Sequence, residues 1–266
     1  MVQVVQPSGI VTLLTDFGLE DVYVGVMKGV MLNINPRMTL VDLTHQIPSQ
    51  NVELGAFQLQ NAYPHFPVGT VHLAVVDPGV GSARRAIAIA TPSGFFVGPD
   101  NGIFSPVLEG EGWIQASALD NPQYWYSPTP SATFHGRDIF SAAAAHLASG
   151  VPFKALGTAL AAGQLTVLPK LPCTASAIGL QGVIRALDRF GNGISNIPAM
   201  AVQGREWAVT VEKRLFPHHA TYSEVEMGHP VSLVGSHGWV ELAVRGGSAQ
   251  KDYGLALGDR VELTWV

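Results

Sequence analysis

The first half of this 266-residue chain alternates between two hydrophobic periodicities, and this alternation restricts the possible folds more than any other feature. Apolar runs typical of strands occupy residues 10–15, 39–43 and 70–76, and helical stretches over 21–33 and 52–63 separate them. Strand–helix–strand repeats of this kind build a mostly parallel sheet with helices on its faces. The sequence therefore predicts an N-terminal α/β sandwich domain.

The first helical stretch carries apolar residues at the spacing of one helix face, which predicts a face packed on the sheet. The residues of this predicted face are Val22, Val26 and Val30, with Tyr23, Met27 and Met31 beside them. Further along, residues 86–90 and 94–97 flank a short turn and predict an antiparallel hairpin. An alanine-rich helix is expected over 138–148, ended by Gly150.

The character of the sequence changes where Pro169 and Pro172 stand close together, which predicts a linker over residues 168–175. Beyond it, short strand-like runs alternate with glycine turns, as in a small barrel or sandwich. We therefore expect an α/β domain over 1–167 and a smaller all-β, barrel-like domain over 176–266. The predicted strands of the second domain are 183–188, 195–198, 206–211, 231–234, 239–244 and 259–266.

Composition excludes several classes of function. The formal net charge is -5, and no basic cluster is longer than Arg84-Arg85, so nucleic acid is not an expected partner. No apolar run reaches the roughly 18 residues of a membrane span, and the first residues lack a secretory signal pattern. A single cysteine, Cys173, excludes an internal disulfide and fits a cytoplasmic protein. Histidine spacings typical of metal sites are missing, so no metal is expected.

Two predicted strands end directly in an acid. Asp16 follows the strand 10–15, and Asp77 follows the strand 70–76 and precedes Pro78-Gly79. In open α/β folds ligands bind outside the carboxyl ends of the strands, so both acids are candidate site residues. Asp16 could accept hydrogen bonds from ribose hydroxyls or could cap the following helix, and the residues alone leave both interpretations open.

Arg84 and His135 are the candidate partners of Asp77. Arg84 lies seven residues after Asp77, across a glycine-rich turn that could return its guanidinium to the carboxylate. Such a pair could hold a water molecule, although Asp/Arg pairs are commonly structural. His135 stands in a loop just before a predicted helix, where a structural histidine is equally compatible with the sequence.

Two loops of the second half could also form a site. Asp188, Phe190 and Asn192 lie in one glycine turn, which is ordinary hairpin chemistry or, alternatively, a purine pocket with a stacking ring and an amide. The loop 246–249 could present backbone N–H groups and the Ser248 hydroxyl to a carboxylate.

Taken in order along the chain, these motifs resemble those of the S-adenosyl-L-methionine (SAM) hydroxide adenosyltransferases, a family that includes SAM-dependent fluorinating and chlorinating enzymes. The resemblance spans nearly the whole length. The motifs that carry it are Thr15-Asp16-Phe17-Gly18, Val76-Asp77-Pro78-Gly79-Val80-Gly81, Arg84, Phe134-His135-Gly136-Arg137-Asp138 and Asp188-Arg189-Phe190-Gly191-Asn192.

The resemblance implies a role for each candidate residue. Asp77, Arg84 and His135 would position and activate water. The implied substrate contacts are Asp16 to the ribose, Phe134 and Gly136 from the histidine motif, Asp188 to the methionine ammonium, Phe190 and Asn192 to the adenine, and Ser248 to the methionine carboxylate. SAM would be the substrate rather than a cofactor, and the family's assembly implies a homotrimer with active sites between subunits.

The implied reaction is attack of water or hydroxide at C5′ of SAM, which gives adenosine and L-methionine. Halide transfer is the nearest alternative. The fluorinating relatives place Tyr-Ser where this chain has His135-Gly136 and carry an extra loop after the Asp77 motif, whereas the chlorinating relatives have tyrosine at the position of His135. A SAM- or adenosine-binding protein without catalysis is the alternative from another class, but it has no need for Arg84 and His135 beside Asp77.

Overall fold

The computed structural model describes residues 5–110 and 112–266. The chain divides into two compact units, the first ending at Leu168 and the second beginning at Pro169. Both prolines of the predicted linker belong to the second unit.

A mixed sheet forms the centre of the first unit. Its order is β2-β1-β3-β5-β4-β6-β7, with parallel pairing from β2 through β1 and β3 to β5 and antiparallel pairing beyond. The fold is therefore α/β as predicted, with the parallel strands at one side of the sheet. The strands are β1 (Ile10–Thr15), β2 (Thr39–Thr44), β3 (Thr70–Val75), β4 (Ala86–Ala90), β5 (Gly94–Pro99), β6 (Gln115–Ala118) and β7 (Ala159–Leu160).

Helices cover both faces of this sheet. Leu73 and Val75 of β3 pack in the apolar core that includes α1 and α4, whereas Ala74 packs in the core that includes α2. Alternate residues of a strand point to opposite faces, so a strand covered on both sides is apolar throughout. The helices are α1 (Tyr23–Ile34), α2 (Val52–Ala62), α3 (Ser105–Gly110) and α4 (Ala142–Ala148), the last preceded by a π-helical turn, Gly136–Ser141.

The apolar face predicted for the first helix is wrong at its start. Val22 is 73% exposed and Tyr23 is 45% exposed, because α1 begins at Tyr23 and these residues lie on its first turn. The buried residues of the helix are Val24, Met27, Val30 and Met31. The helix predicted over 138–148 also begins earlier, since the π-helical turn starts at Gly136.

The second unit is an antiparallel, nearly closed barrel, which confirms the predicted class. The strand order is β12-β11-β15-β9-β10-β14-β13, with β8 beside β9, and His218 after β12 bridges Ser232 of β13. Two short helices that the sequence did not predict interrupt it, α5 (Ala199–Val202) and α6 (Ala249–Tyr253), within the residues that the structure describes. The strands are β8 (Thr174–Ser176), β9 (Gly179–Leu187), β10 (Gly193–Pro198), β11 (Trp207–Val211), β12 (Arg214–Pro217), β13 (Pro230–Val234), β14 (Trp239–Val244) and β15 (Arg260–Trp265).

None of the helices in the described residues is long and apolar enough to cross a membrane.

Candidate active site

Asp16 and Asp77 follow neighbouring parallel strands at the same edge of the sheet. β1 pairs with β3 so that Thr15 lies opposite Val75. Asp16 follows Thr15 directly, and Asp77 follows Val75 after one further residue, Val76. The strands run parallel because the crossover through α1, β2 and α2 returns the chain to the same end of the sheet. Two acids about sixty residues apart in sequence thus share the edge where ligands bind in folds of this kind.

The segment from Asp77 to Arg84 is a tight turn that returns the guanidinium to the carboxylate. The backbone N–H of Val80 donates to the Asp77 carbonyl (3.2 Å), and the N–H of Ser82 donates to the Gly79 carbonyl (3.1 Å). Gly81 has a φ of +77°, and a Cβ there would lie 2.5 Å from the Ala132 carbonyl oxygen, so this position requires glycine.

Arg84 binds Asp77 through two nitrogens. Its Nε lies 2.9 Å from Oδ1 and 3.0 Å from Oδ2, and Nη2 contacts Oδ2 as well. Only 5% of the Asp77 side chain and 10% of the Arg84 side chain are exposed. Both charges have therefore lost most of their hydration. Separating them would leave an uncompensated buried charge, so the pair is held in this geometry.

His135 completes the cluster. Nη2 of Arg84 lies 2.8 Å from Nδ1 of His135, and a guanidinium can only donate hydrogen bonds. Nδ1 is therefore the acceptor, which places the single proton of the neutral imidazole on Nε2. Burial and the charge of Arg84 hold the pKa of His135 below its ordinary value, while Asp77 and Asp138 act in the opposite direction. Asp77, Arg84 and His135, which were predicted from the sequence as one set, are therefore joined through Arg84 in the structure.

A second ion pair supports the loop that carries His135. The Asp138 carboxylate accepts from Arg137 Nε (2.6 Å) and Nη2 (2.8 Å) and from the Ser131 backbone N–H (2.7 Å). Burial raises the pKa of Asp138, but these hydrogen bonds outweigh it and the pKa is lowered overall. Asp138 is fully buried, so the chain on both sides of His135 is fixed to one ionised group.

Phe134 and Gly136 connect the histidine loop to the loop after Asp16. The ring of Phe134 packs edge-on against Phe17 (6.0 Å between centroids) and Tyr23 (5.2 Å). A Cβ on Gly136 would lie 3.2 Å from the Phe134 ring and 3.3 Å from both Phe17 and Met27. A side chain at Gly136 would therefore press on all three neighbours, and the two loops contact each other directly.

Asp16 is held by the backbone of a neighbouring loop. Its Oδ2 accepts from the backbone N–H of Gln50 (2.8 Å), a residue with a φ of +66°. The preceding Thr15 hydroxyl bonds Nδ1 of the buried His45 (2.9 Å), and the His45 carbonyl accepts from Gly18 (2.8 Å). The Asp16 carboxylate does not cap α1, which begins at Tyr23 with Val22 before it.

In the second unit, Asp188 organises its own turn. Its Oδ1 accepts from the backbone N–H groups of Phe190 (2.9 Å) and Asn192 (2.8 Å), and its Oδ2 accepts from the Asn192 side chain (2.9 Å). Asn192 is buried, whereas Phe190 is 74% exposed and offers its ring to a partner. Asp188 and Asn192 form one hydrogen-bonded unit rather than two independent groups.

Ser248 lies against this turn. A Cβ on Gly191 would lie 2.0 Å from the Ser248 hydroxyl oxygen, and Gly191 has a φ of +83°. Ser248 is the N-cap of α6: its hydroxyl accepts from the Lys251 N–H (3.2 Å), and its own N–H donates to Asp252 (2.8 Å). Ser248 is therefore adjacent to the turn of Asp188, Phe190 and Asn192. The backbone N–H of Ser248, one of those expected to face a ligand, is hydrogen-bonded within the chain instead.

Tyr222 belongs to the same neighbourhood, although no sequence motif pointed to it. Its hydroxyl donates to the buried Glu241 (2.6 Å), whose other oxygen lies 3.0 Å from Nε2 of His237. Burial, this hydrogen bond and the charge of Asp188 raise the pKa of Tyr222, so the hydroxyl stays protonated. Tyr222 is the fifth residue after β12 and begins a single 3₁₀ turn, Tyr222–Glu224, which is too short for any periodicity to identify it.

Asp100 and Asn101 also adjoin the cluster, and neither was predicted from the sequence. They follow β5, the parallel neighbour of β3, and the Asn101 amide donates to the Val76 carbonyl (2.8 Å). A polar turn directly after a strand is the signal that identified Asp16 and Asp77, so Pro99-Asp100-Asn101-Gly102 could have been found in the same way.

Across the described part of the chain, no three His, Cys, Asp or Glu side chains converge as a metal site would require.

Two family models match this chain. One covers the α/β unit with its acid–guanidinium–imidazole cluster, and the other covers the all-β unit that follows. The SAM hydroxide adenosyltransferase N-terminal domain matches residues 11–157, and the C-terminal domain of the same family matches residues 182–262. The chain belongs to the SAM hydroxide adenosyltransferase family.

Individual relatives agree with this assignment. The chain is 42% identical to an (R)-S-adenosyl-L-methionine hydrolase of Thermus thermophilus, over 95% of this chain and 98% of the relative. A fluorinase of Actinoplanes is more distant, at 29% identity over 96% and 97% of the two chains. The solved structure of an uncharacterized conserved protein from Thermotoga maritima superposes with a TM-score of 0.89 at 34% identity, covering 95% of this chain and 99% of that one.

Proposed function

We propose that this protein is a SAM hydrolase that transfers the adenosyl group of SAM to water, giving adenosine and L-methionine. The observation that carries the proposal is the contact of Arg84 with both Asp77 and the imidazole of His135 at the carboxyl edge of the parallel strands. Membership of the family and the greater identity to a hydrolase than to a fluorinase support water as the nucleophile.

The reaction is a displacement at C5′. The oxygen of water forms a bond to C5′ while the C5′–S bond breaks, and sulfur leaves with the bonding electron pair as the neutral thioether of methionine. The leaving group needs no proton, so catalysis must act on the nucleophile, because bulk water has a pKa of about 15.7. The attacking oxygen loses one proton, which requires a base near it.

We assign the base to Asp77. The hydrogen bond from Arg84 occupies Nδ1 of His135, and Nε2 already carries the proton of the neutral ring, so the imidazole has no nitrogen free to accept another. The Nε2–H group of His135 instead donates to the oxygen and orients its lone pair toward C5′. Arg84 stabilises the carboxylate and the negative charge that develops on oxygen.

The substrate contacts in this proposal are those that the family resemblance implies. Asp16 would bind the ribose hydroxyls, beside the aromatic surface formed by Phe134 and Phe17. Asp188 would face the methionine ammonium, Phe190 would stack on the adenine, and Asn192 would bond its edge. Ser248 would meet the methionine carboxylate through its hydroxyl. SAM is the substrate in this proposal, and no separate cofactor or metal takes part.

We also propose a homotrimer with active sites between subunits. Leu19 (65% exposed), Val22 and Tyr23 form an exposed apolar surface beside Phe17, at the edge of the candidate site, which a second copy of the chain could cover. A cytoplasmic location is the compartment that a single, unpaired cysteine favours. Light scattering of the purified protein tests the trimer, since it measures the mass of the assembly.

Incubation of the protein with SAM in water enriched in heavy oxygen tests the reaction. The expected product is adenosine that carries the heavy isotope at C5′, at a rate that Asp77→Asn greatly reduces. In chloride buffer, formation of 5′-chloro-5′-deoxyadenosine as the main product would contradict the proposal. Binding of SAM in calorimetry with no nucleoside released would favour the non-catalytic alternative.

A further inference from the structure

We propose that Asp100 and Asn101 are positioning residues for the reaction, because they hold the two ends of the turn that carries Asp77 and Arg84. The inference rests on the proposed function of that turn. Neither residue need touch the substrate: each contacts a residue that directly adjoins a member of the cluster.

Asn101 holds the start of the turn. Its Nδ2 donates to the carbonyl of Val76, the residue before Asp77 (2.8 Å), and its Oδ1 accepts from the backbone N–H of Ile103 (3.2 Å). Val76 lies just after β3 ends, where sheet hydrogen bonds no longer fix the backbone. A buried carbonyl without a hydrogen-bond partner is costly, so the amide of Asn101 selects one orientation for the peptide that leads into Asp77.

Asp100 holds the end of the turn. Its Oδ2 accepts from Nε (2.9 Å) and Nη2 (2.5 Å) of Arg85, the residue after Arg84, and its backbone N–H donates to the Arg85 carbonyl (3.0 Å). Oδ1 accepts from the Thr166 N–H (2.8 Å), and Arg85 also contacts the Gln164 carbonyl. The Asp100 side chain is only 3% exposed, whereas the Arg85 side chain is 36% exposed, so the acid is the buried member of this ion pair.

Two consecutive residues thus fix the backbone immediately before Asp77 and immediately after Arg84. Catalysis by positioned groups is sensitive to small displacements, and an error of about 1 Å can cost roughly 100-fold in rate. Loosening either end of the turn would move the carboxylate and the guanidinium relative to His135, which sits on a separate loop. Loss of Asn101 should therefore lower kcat more than it alters the KM for SAM.

The chain offers a closely matched control. Asn121 also donates from Nδ2 to a distant carbonyl, that of Ala155 (2.8 Å), and accepts at Oδ1 from an N–H two residues on, that of Gln123 (3.1 Å). It lies in the same unit but holds no part of the Asp77 turn. Asn121→Ala therefore removes two hydrogen bonds of the same kinds. Its effect measures the general loss of stability when such an asparagine is removed, without any change at the Asp77 turn.

The test compares Asn101→Ala, Asn101→Asp and Asn121→Ala with the unchanged protein. Asn101→Asp keeps the size of the side chain but removes the donor to Val76, and it serves if the alanine variant does not fold. The first measurement is kcat and KM for SAM. The second is the pH titration of the His135 ring by NMR, with His135→Gln to assign the signal, which requires no turnover.

We expect kcat to fall about 10- to 100-fold in the Asn101 variants, with a much smaller change in KM. The pKa of His135 should rise toward its ordinary value of 6.5, because Arg84 no longer faces the ring as closely. Asn121→Ala should change neither quantity. An unchanged His135 titration in folded Asn101 variants overturns the proposal, and so does an unchanged kcat.

Failure of the proposed function gives a different result. If the unchanged protein does not hydrolyse SAM, the hydrolase assignment is wrong, yet the NMR titration still shows whether Asn101 holds the turn. If the His135 titration shifts in an inactive protein, the structural coupling between Asn101 and His135 is confirmed and its link to hydrolysis is rejected.

Discussion

The guanidinium of Arg84 donates to Asp77 and to Nδ1 of His135 at the same time, the second contact being 2.8 Å long. These contacts determine where the proton of the His135 ring lies, because a nitrogen that accepts a hydrogen bond from arginine cannot itself carry a proton. The imidazole is therefore neutral, with its remaining N–H directed elsewhere. In the proposed reaction, the carboxylate of Asp77 is therefore the group of the cluster left to take a proton from water.

Asp77 and His135 should consequently differ in their effect on turnover. Asp77→Asn removes the base and should lower kcat by about 10²- to 10⁴-fold. His135→Ala removes one hydrogen-bond donor and should have the smaller effect, about 100-fold. Adenosine release measured by chromatography gives both values, with His65→Ala, an exposed histidine, as the control. A larger loss in His135→Ala than in Asp77→Asn would reverse the assignment of the base.

The acid limb of the pH–activity profile should lie lower than for an ordinary histidine. Protonation of His135 breaks its bond from Arg84, so activity falls as the pH drops through the pKa of this ring. That pKa is held below 6.5 by burial and by Arg84, and the midpoint of the limb should therefore lie below pH 6.5. His135→Gln has no ring to titrate, so kcat of this variant should lose that limb; an unaltered profile would remove His135 from the interpretation.

Gly136→Ala should damage the site and the stability together. The added methyl would press on Phe134, Phe17 and Met27 at 3.2–3.3 Å, and overpacking of this kind costs about 1–3 kcal/mol. Gly29→Ala is the control, because its Cβ meets nothing within 4 Å and alanine stabilises a helix by about 0.5–1 kcal/mol. Urea unfolding should therefore show opposite signs for the two variants. Equal changes would mean that the packing around Gly136 is adaptable.

His72 should make the fold sensitive to acid. It is buried in β3, bonds Thr12 (2.9 Å) and stacks on Phe96, and burial lowers its pKa to about 3. Between pH 6.5 and 3 the unfolded chain binds a proton that the folded chain does not, so stability falls as the pH falls, by about 1.4 kcal/mol per pH unit. His72→Gln cannot take up that proton, and its free energy of unfolding should depend less on pH over this range.

Much of the first unit could be predicted from the sequence because its signals are local and strong. The runs that form β1, β3 and α2 are long and apolar, and each is bounded by turn residues within a residue or two of the observed ends. The edge strand β7 and its neighbour β6 were missed because they have only two and four residues, too few for any periodicity. The face of α1 was misjudged because its first turn protrudes from the sheet.

The candidate site was predictable as a set of residues but not as a hydrogen-bonded arrangement. An acid after a strand identified Asp16 and Asp77, yet the direction of the Arg84 bond to His135 depends on two loops meeting in space. The same holds for Ser248, where a glycine-rich loop suggested a free N–H group and the short helix α6 uses it instead. Contacts between distant loops, such as Asn101 with Val76, lie outside what local sequence can specify.

His135 directly precedes the π-helical turn from Gly136 to Ser141, so the backbone of this turn continues from the residue that carries the imidazole. A turn of this kind contains one residue more than an α-helical turn, and each helical residue rotates the chain by about 100°. The extra residue thus separates the buried helix α4 from the imidazole of His135. Removing it would turn the imidazole to another side of the helix axis. The placement of this imidazole can therefore change in this one segment, while the strands that precede the two acids keep their register.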